Sequence, residues 1–110
     1  MKYMLLICND PSDVVEPDPG GMSIEEWVTE MGGRGARLDG DRLQPPAEAR
    51  TVRFRGGKVV VTDGPFIETK EMIGGYDVIE AADLDEAIEI ASKHTVARFG
   101  MIEIRPFWVW

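Results

Sequence analysis

Thr51-Val-Arg-Phe-Arg-Gly-Gly-Lys-Val-Val-Val-Thr62 sets two β-prone runs on either side of Gly56-Gly57. Both glycines tolerate positive φ, so a two-residue hairpin turn joins the runs. Such a turn fixes the register. Phe54 then faces Val59 and Val52 faces Val61 on one side, while Arg53 faces Val60 and Thr51 faces Thr62 on the other. The first side is expected to be core and the second mixed.

Before this hairpin, Lys2 to Cys8 is short and apolar and is followed by Asn9-Asp10-Pro11, which predicts a buried first strand stopped by turn residues. Cys8 has no neighbouring base or cation to activate it, so it reads as a small core hydrophobe. Asp10 to Gly21 holds four acids, three prolines, two glycines and no base. It reads as a long loop, and a candidate lid. Ser23-Ile-Glu-Glu26 is a capping box that starts a helix with Ile24, Trp27, Val28 and Met31 along one stripe, weakening at Gly32-Gly33. Gly35 to Pro46 has turn chemistry throughout.

After the hairpin, Tyr76 to Glu80 follows Gly74-Gly75 as a strand. Asp83-Leu-Asp-Glu86 repeats the capping signature ahead of Leu84, Ala87, Ile88 and Ala91, predicting a second helix to about Lys93. Met101 to Phe107 is a last strand with Ile102 and Ile104 on one face and Glu103 and Arg105 on the other. The order strand, helix, hairpin, strand, helix, strand predicts one domain over residues 1–110, an α+β sandwich of ferredoxin-like βαββαβ type. Both helices then cover one sheet face and leave the opposite face bare.

Twenty acidic against twelve basic side chains give a net charge of −8, which repels nucleic-acid phosphates. The longest early apolar run, Met4 to Cys8, is too short for a membrane span or a signal-peptide core, so a cytoplasmic protein without a membrane partner is expected. One Cys and one His build neither an internal disulfide nor an ordinary zinc site, and no structural metal is expected. The paired glycines fit no phosphate-cradling motif ahead of a helix, and no cofactor is expected.

The expected bare face mixes Thr51, Arg53, Glu103 and Arg105 with Val60, Met101 and Phe107, too apolar for open solvent and too charged for a dry interior. A partly wet cleft enclosed by a second copy of the chain reconciles the two. The aromatic tail Phe107-Trp-Val-Trp110 would pack on that copy or rim the cleft. Asp63, at the end of the hairpin, is either an Asx-turn residue or a general acid or base lifted in pKa by partial burial. The segment Ile67 to Glu71 is a candidate wall or gate of a pocket. Arg53 and Arg105 suit bidentate contact to an anion or pairing with Glu103. His94 is expected in the last turn of the second helix, where the helix dipole favours a cation.

Thr62-Asp-Gly-Pro-Phe-Ile-Glu-Thr-Lys-Glu71, Gly74-Gly-Tyr76, Asp83-Leu-Asp-Glu-Ala87 and Ile102-Glu-Ile-Arg-Pro106 together resemble the YCII-related, DGPF-domain family, as do Met1 to Ile7, Leu43 to Pro46 and Thr51 to Arg53. The resemblance covers nearly the whole chain except residues 10–35. It implies a ferredoxin-like fold that dimerises into an α/β barrel with a cleft. Related branches are suspected of acid/base or lyase-type chemistry through a His and Asp pair, and others are encoded beside or fused to alternative sigma factors. Of that pair only the motif aspartate, Asp63, carries over, because His94 is the one histidine and falls in the second helix. The resulting expectation is a homodimer binding a small anionic or aromatic metabolite through Arg53, Arg105, Tyr76 and Asp63. One alternative is a lyase or isomerase in which Asp63 moves a proton and an arginine steadies negative charge. The other is an accessory protein that engages a sigma factor through the acid-rich residues 10–18.

Overall fold

The computed structural model describes residues 1–10, 16, 20–65 and 72–109. The long acidic loop, Phe66 with the segment to Glu71, and Trp110 therefore fall largely or wholly outside the described residues. The elements run β1 (Lys2–Asn9), α1 (Ile24–Gly33), β2 (Arg37–Arg42), β3 (Arg50–Arg55), β4 (Lys58–Asp63), β5 (Met72–Glu80), α2 (Leu84–Ser92) and β6 (Met101–Pro106), with 3-10 turns at Pro46–Glu48 and Thr95–Arg98.

Both helices start where the sequence places their caps. Ser23 Oγ accepts the Glu26 N–H at 3.1 Å and Glu26 returns a carboxylate oxygen to the Ser23 N–H at 3.3 Å. Asp83 caps α2 by accepting the Glu86 N–H at 2.9 Å, while Glu86 reaches back one residue further, to the Ala82 N–H. Each cap satisfies N–H groups that a helix start would otherwise leave orphaned.

A four-stranded sheet has the order β2-β5-β1-β6, and every neighbouring pair is antiparallel. This is the ferredoxin-like arrangement. Leu5, Trp27, Met31, Ile79 and Ile90 are the largest fully buried side chains and fill the layer between helices and sheet. The Trp27 indole N–H donates to the Ile90 carbonyl at 3.0 Å, so the one polar atom of the largest core side chain is satisfied. In α2 the buried positions are Ala87, Ile90 and Ala91, whereas Leu84 and Ile88 are exposed, a rotation of the apolar stripe from the expected one.

Two expectations about the sheet are corrected. Arg37 to Arg42 forms a strand, not turns, although Asp39, Gly40 and Asp41 are poor strand formers. Pairing with β5 along the sheet edge outweighs that weak local preference, and the ladder runs from Arg37↔Ile79 to Arg42↔Gly75. Gly75 lies so close to this strand that an added Cβ would stand 2.9 Å from the Asp41 carbonyl oxygen, which accounts for a glycine at this position inside β5.

The β3–β4 hairpin forms with the expected register, Arg55↔Lys58 through Thr51↔Thr62, and Gly56 and Gly57 have φ of 56° and 73°. It is, however, a separate two-stranded ribbon. The sheet position it was expected to fill belongs to β2, which follows directly from the α1 crossover. Thr51, Arg53 and Val60 are consequently absent from the helix-free sheet face. The strand register gives that face Met4, Leu6, Tyr76, Val78, Glu103 and Arg105. Val52, Phe54, Val59 and Val61, expected as core, are 66, 65, 65 and 57 % exposed.

Candidate functional site

The end of the sheet where β1 finishes and β5 begins is roofed by the first turn of α1 and walled by the 3-10 turn Thr95–Arg98. A pocket of about 620 Å³ opens there, lined among others by Ile7, Trp27, Arg37, Arg42, Asp77 and His94. Its polar floor comes from alternation in β5. Asp77 shares the helix-side parity of Ile79 and is buried there, where an unpaired carboxylate would be costly. Arg37 answers it from the neighbouring strand, its Nε donating to Asp77 Oδ1 at 2.8 Å. Burial raises the Asp77 carboxyl above the ordinary aspartate range, and the Arg37 guanidinium pulls it part of the way back.

Gly40 makes room for this pair. A Cβ at position 40 would land on the Asp77 carboxylate and within 2.7 Å of both Arg37 Nη2 and the Tyr76 carbonyl oxygen. Backbone and ion pair thus occupy space that any other residue would claim.

His94 is not a cationic end to the second helix. It follows the α2 C-cap Lys93 and instead caps the start of the Thr95–Arg98 turn, its Nδ1 accepting the Val96 N–H at 3.1 Å. An accepting Nδ1 places the proton of the neutral ring on Nε2, which faces Asp77 Oδ2 at 3.9 Å. Burial pushes the imidazole below its ordinary pKa, favouring the neutral form. Trp27 packs edge-on to the ring with centroids 4.7 Å apart, fixing its plane. The arrangement offers a guanidinium, a buried carboxyl and a neutral imidazole N–H on one wall facing apolar surface on the other. Such a wall can bind an anionic head and an apolar body, or exchange a proton between carboxyl and ligand.

Of the residues selected from the sequence, Tyr76 borders this pocket, while Arg53, Asp63 and Arg105 do not line it. Asp63 ends β4 on the ribbon, with its side chain 89 % exposed and 3.2 Å from the Arg50 guanidinium. Gly64 after it has φ 93°, and the Thr51 hydroxyl donates to its carbonyl at 2.8 Å, which builds the turn. Arg105 pairs with Glu103 at 2.6 Å on the helix-free face. Tyr76 shares that face, across β1 from Glu103 through Leu6. Trp108 and Val109 are each 79 % exposed. Arg37 and Asp77 escaped the sequence reading because Arg37 lay in a segment read as turns. The signal for Asp77 was present: an acid in the core-facing phase of an otherwise apolar strand demands a partner.

Among the described residues no group of three or more His, Cys, Asp or Glu could hold a metal ion, and no helix is long and apolar enough to cross a membrane.

The model of the YCII-related domain matches residues 1–110. The chain belongs to the YCII-related family. An uncharacterized protein of Rhizobium meliloti (strain 1021) is 43 % identical to it over 67 residues, which are 59 % of this chain and 54 % of that protein. The chain thus spans about half the length of the curated relative it matches. For this YCII-related domain the ferredoxin-like order β2-β5-β1-β6 is the fold expected of the family resemblance.

Proposed function

We infer that this YCII-related chain is a cytoplasmic, small-molecule-binding homodimer whose helix-free face turns towards the second copy. Its ligand sits in the pocket between α1 and the β2–β5 edge. One observation carries the ligand-binding part of the reading: Arg37, Asp77 and a neutral His94 converge on a single pocket of about 620 Å³, inside the range of small-ligand sites. The ligand class is a small anion with an apolar or aromatic body. Arg37 and Arg42 supply positive charge, and Ile7, Val28 and Phe99 supply apolar wall.

Thermal-shift screening against small carboxylic acids, phenols and phosphate monoesters tests this. A ligand at one hundred times its dissociation constant adds about 2.7 kcal/mol of stability. The expected result is a shift for one class that Arg42→Ala abolishes. A panel without any shift, or a shift indifferent to Arg42→Ala, would overturn the assignment.

A second reading is a lyase or isomerase. It is favoured by the pairing of a carboxyl raised in pKa with a neutral imidazole, since proton-transfer groups are tuned away from their ordinary values. In this reading Asp77 moves the proton inside the pocket, and the motif aspartate Asp63 acts only if a second chain supplies it. Once a ligand is known, retained binding with lost turnover in Asp77→Asn supports catalysis, and unchanged turnover removes it.

A further inference from the structure

The β3–β4 ribbon presents Val52, Phe54, Val59 and Val61 as one continuous stripe, each more than half exposed. A two-stranded ribbon with such a stripe is marginal in water by itself, and contiguous exposed apolar surface marks a contact site. The same chain has a second apolar strip, the half-buried Met4, Leu6, Tyr76 and Val78, on the sheet face that neither helix covers. The two surfaces differ in charge. The ribbon carries Arg50, Arg53, Arg55 and Lys58 against Asp63, whereas the sheet face carries Asp39, Asp41, Glu80 and Glu103 against Lys2 and Arg105. In a chain of net charge −8 the ribbon is thus a local cation, complementary to the sheet face of another copy. Arg53, Arg55 and Lys58 lie on the reverse of the apolar stripe, so they steer the approach while the stripe makes the contact.

Resting on the homodimer reading above, we propose that the ribbon of each copy lies across the helix-free sheet face of the other, with Phe54 and Val59 seated on Leu6 and Val78. A six-residue strand is about 20 Å long, so a ribbon covers a strip about 10 Å wide and 20 Å long. Two exchanged ribbons and their two seats bury on the order of 800 Å², about half of a standard interface, so the exchange adds to the contact between the facing sheets of the homodimer and does not make it alone. The exchange is reciprocal, as two-fold symmetry demands. It carries Asp63 of one copy, which shares the side of the stripe, towards the face that bears Tyr76 and Arg105 of the other, uniting in the dimer residues that a single chain holds apart.

Cys8 is the only cysteine, which makes disulfide trapping specific. In a Cys8→Ser background, Phe54→Cys and Val78→Cys are placed on separate chains and co-expressed, then oxidised. The expected result is a covalent dimer in the co-expressed pair and none in either chain alone. Cross-linking of Phe54→Cys with itself, of Val78→Cys with itself, or within one chain carrying both, would overturn the exchange. So would an uncross-linked pair whose parent sediments as a dimer, and that outcome leaves the homodimer reading standing. A parent that sediments as a monomer at tens of micromolar overturns both. Phe54→Asp with Val59→Asp provides a second readout: dimer affinity falls about tenfold or more with an unchanged circular dichroism spectrum, because the stripe lies outside the core. Unaltered affinity would also overturn the exchange.

Discussion

Arg37 Nε lies 2.8 Å from Asp77 Oδ1, and the pair occupies the space that a side chain at position 40 would take. Gly40→Ala therefore forces either the ion pair or the edge strand to move. The expected cost is about 1–3 kcal/mol by chemical denaturation, together with weaker binding of any ligand held by Arg37. Parent-like stability would show that the pair is not confined.

Arg37→Met keeps most of the side-chain volume and removes the charge. Asp77 is then left buried without its cation, a change that costs about 3 kcal/mol where one partner of a buried pair is lost. The double variant Arg37→Met with Asp77→Leu should recover most of that loss, since neither charge remains to be buried. Denaturation midpoints of the two proteins check this, and equal midpoints would contradict it.

His94 sets a pH dependence of stability. Its folded pKa lies below the unfolded one because burial disfavours the charged ring. The unfolded chain thus binds more protons as pH falls through the ordinary imidazole value of about 6.5. Stability is complete above that value and declines below it. Asp77, raised by burial, works in the opposite sense: its contribution is complete below the ordinary aspartate range and is lost as pH rises through the folded value. Comparing the parent with His94→Gln cancels the Asp77 slope. The expected result is a urea midpoint that falls from pH 7 to 5 in the parent and falls less in the variant. Parallel curves would contradict it.

The Glu89 carboxyl is held down to about 2, first by the Arg34 guanidinium and then by Lys93. Its stabilising effect is present above the ordinary glutamate pKa and lost as pH falls towards that folded value. The site is exposed, so water and salt screen it, and Glu89→Gln should cost only about 0.5 kcal/mol. The difference from the parent should shrink further in molar salt. A cost of several kcal/mol would show that this link between α1 and α2 matters more than its exposure allows.

The caps at Ser23 and Asp83 and the Gly56-Gly57 turn were legible because each is decided within a few residues. So was the ferredoxin-like class, since it depends on element order. The place of the hairpin was not legible. Val52, Phe54, Val59 and Val61 have the pattern of a buried face, and pattern records only that a face is apolar, not whether its own chain covers it. β2 was hidden for the converse reason: Leu38-Asp-Gly-Asp41 looks like a turn, and only pairing with β5 makes it a strand. The pocket was half legible. Asp77 sat in a core-facing phase, but its partner lay forty residues away in sequence, and His94 looked like a helix end until burial turned it inward.

The Leu43 N–H donates to the Gly74 carbonyl at 2.8 Å, so the chain departs from the β2–β5 edge and returns to the same rung. The β3–β4 ribbon between those two residues is a detour. Lengthening, shortening or recolouring it leaves the Leu5 and Trp27 interior untouched, because loop closure costs little more for a longer excursion. Evolution can therefore rewrite this excursion, and with it the company the protein keeps, without renegotiating the fold.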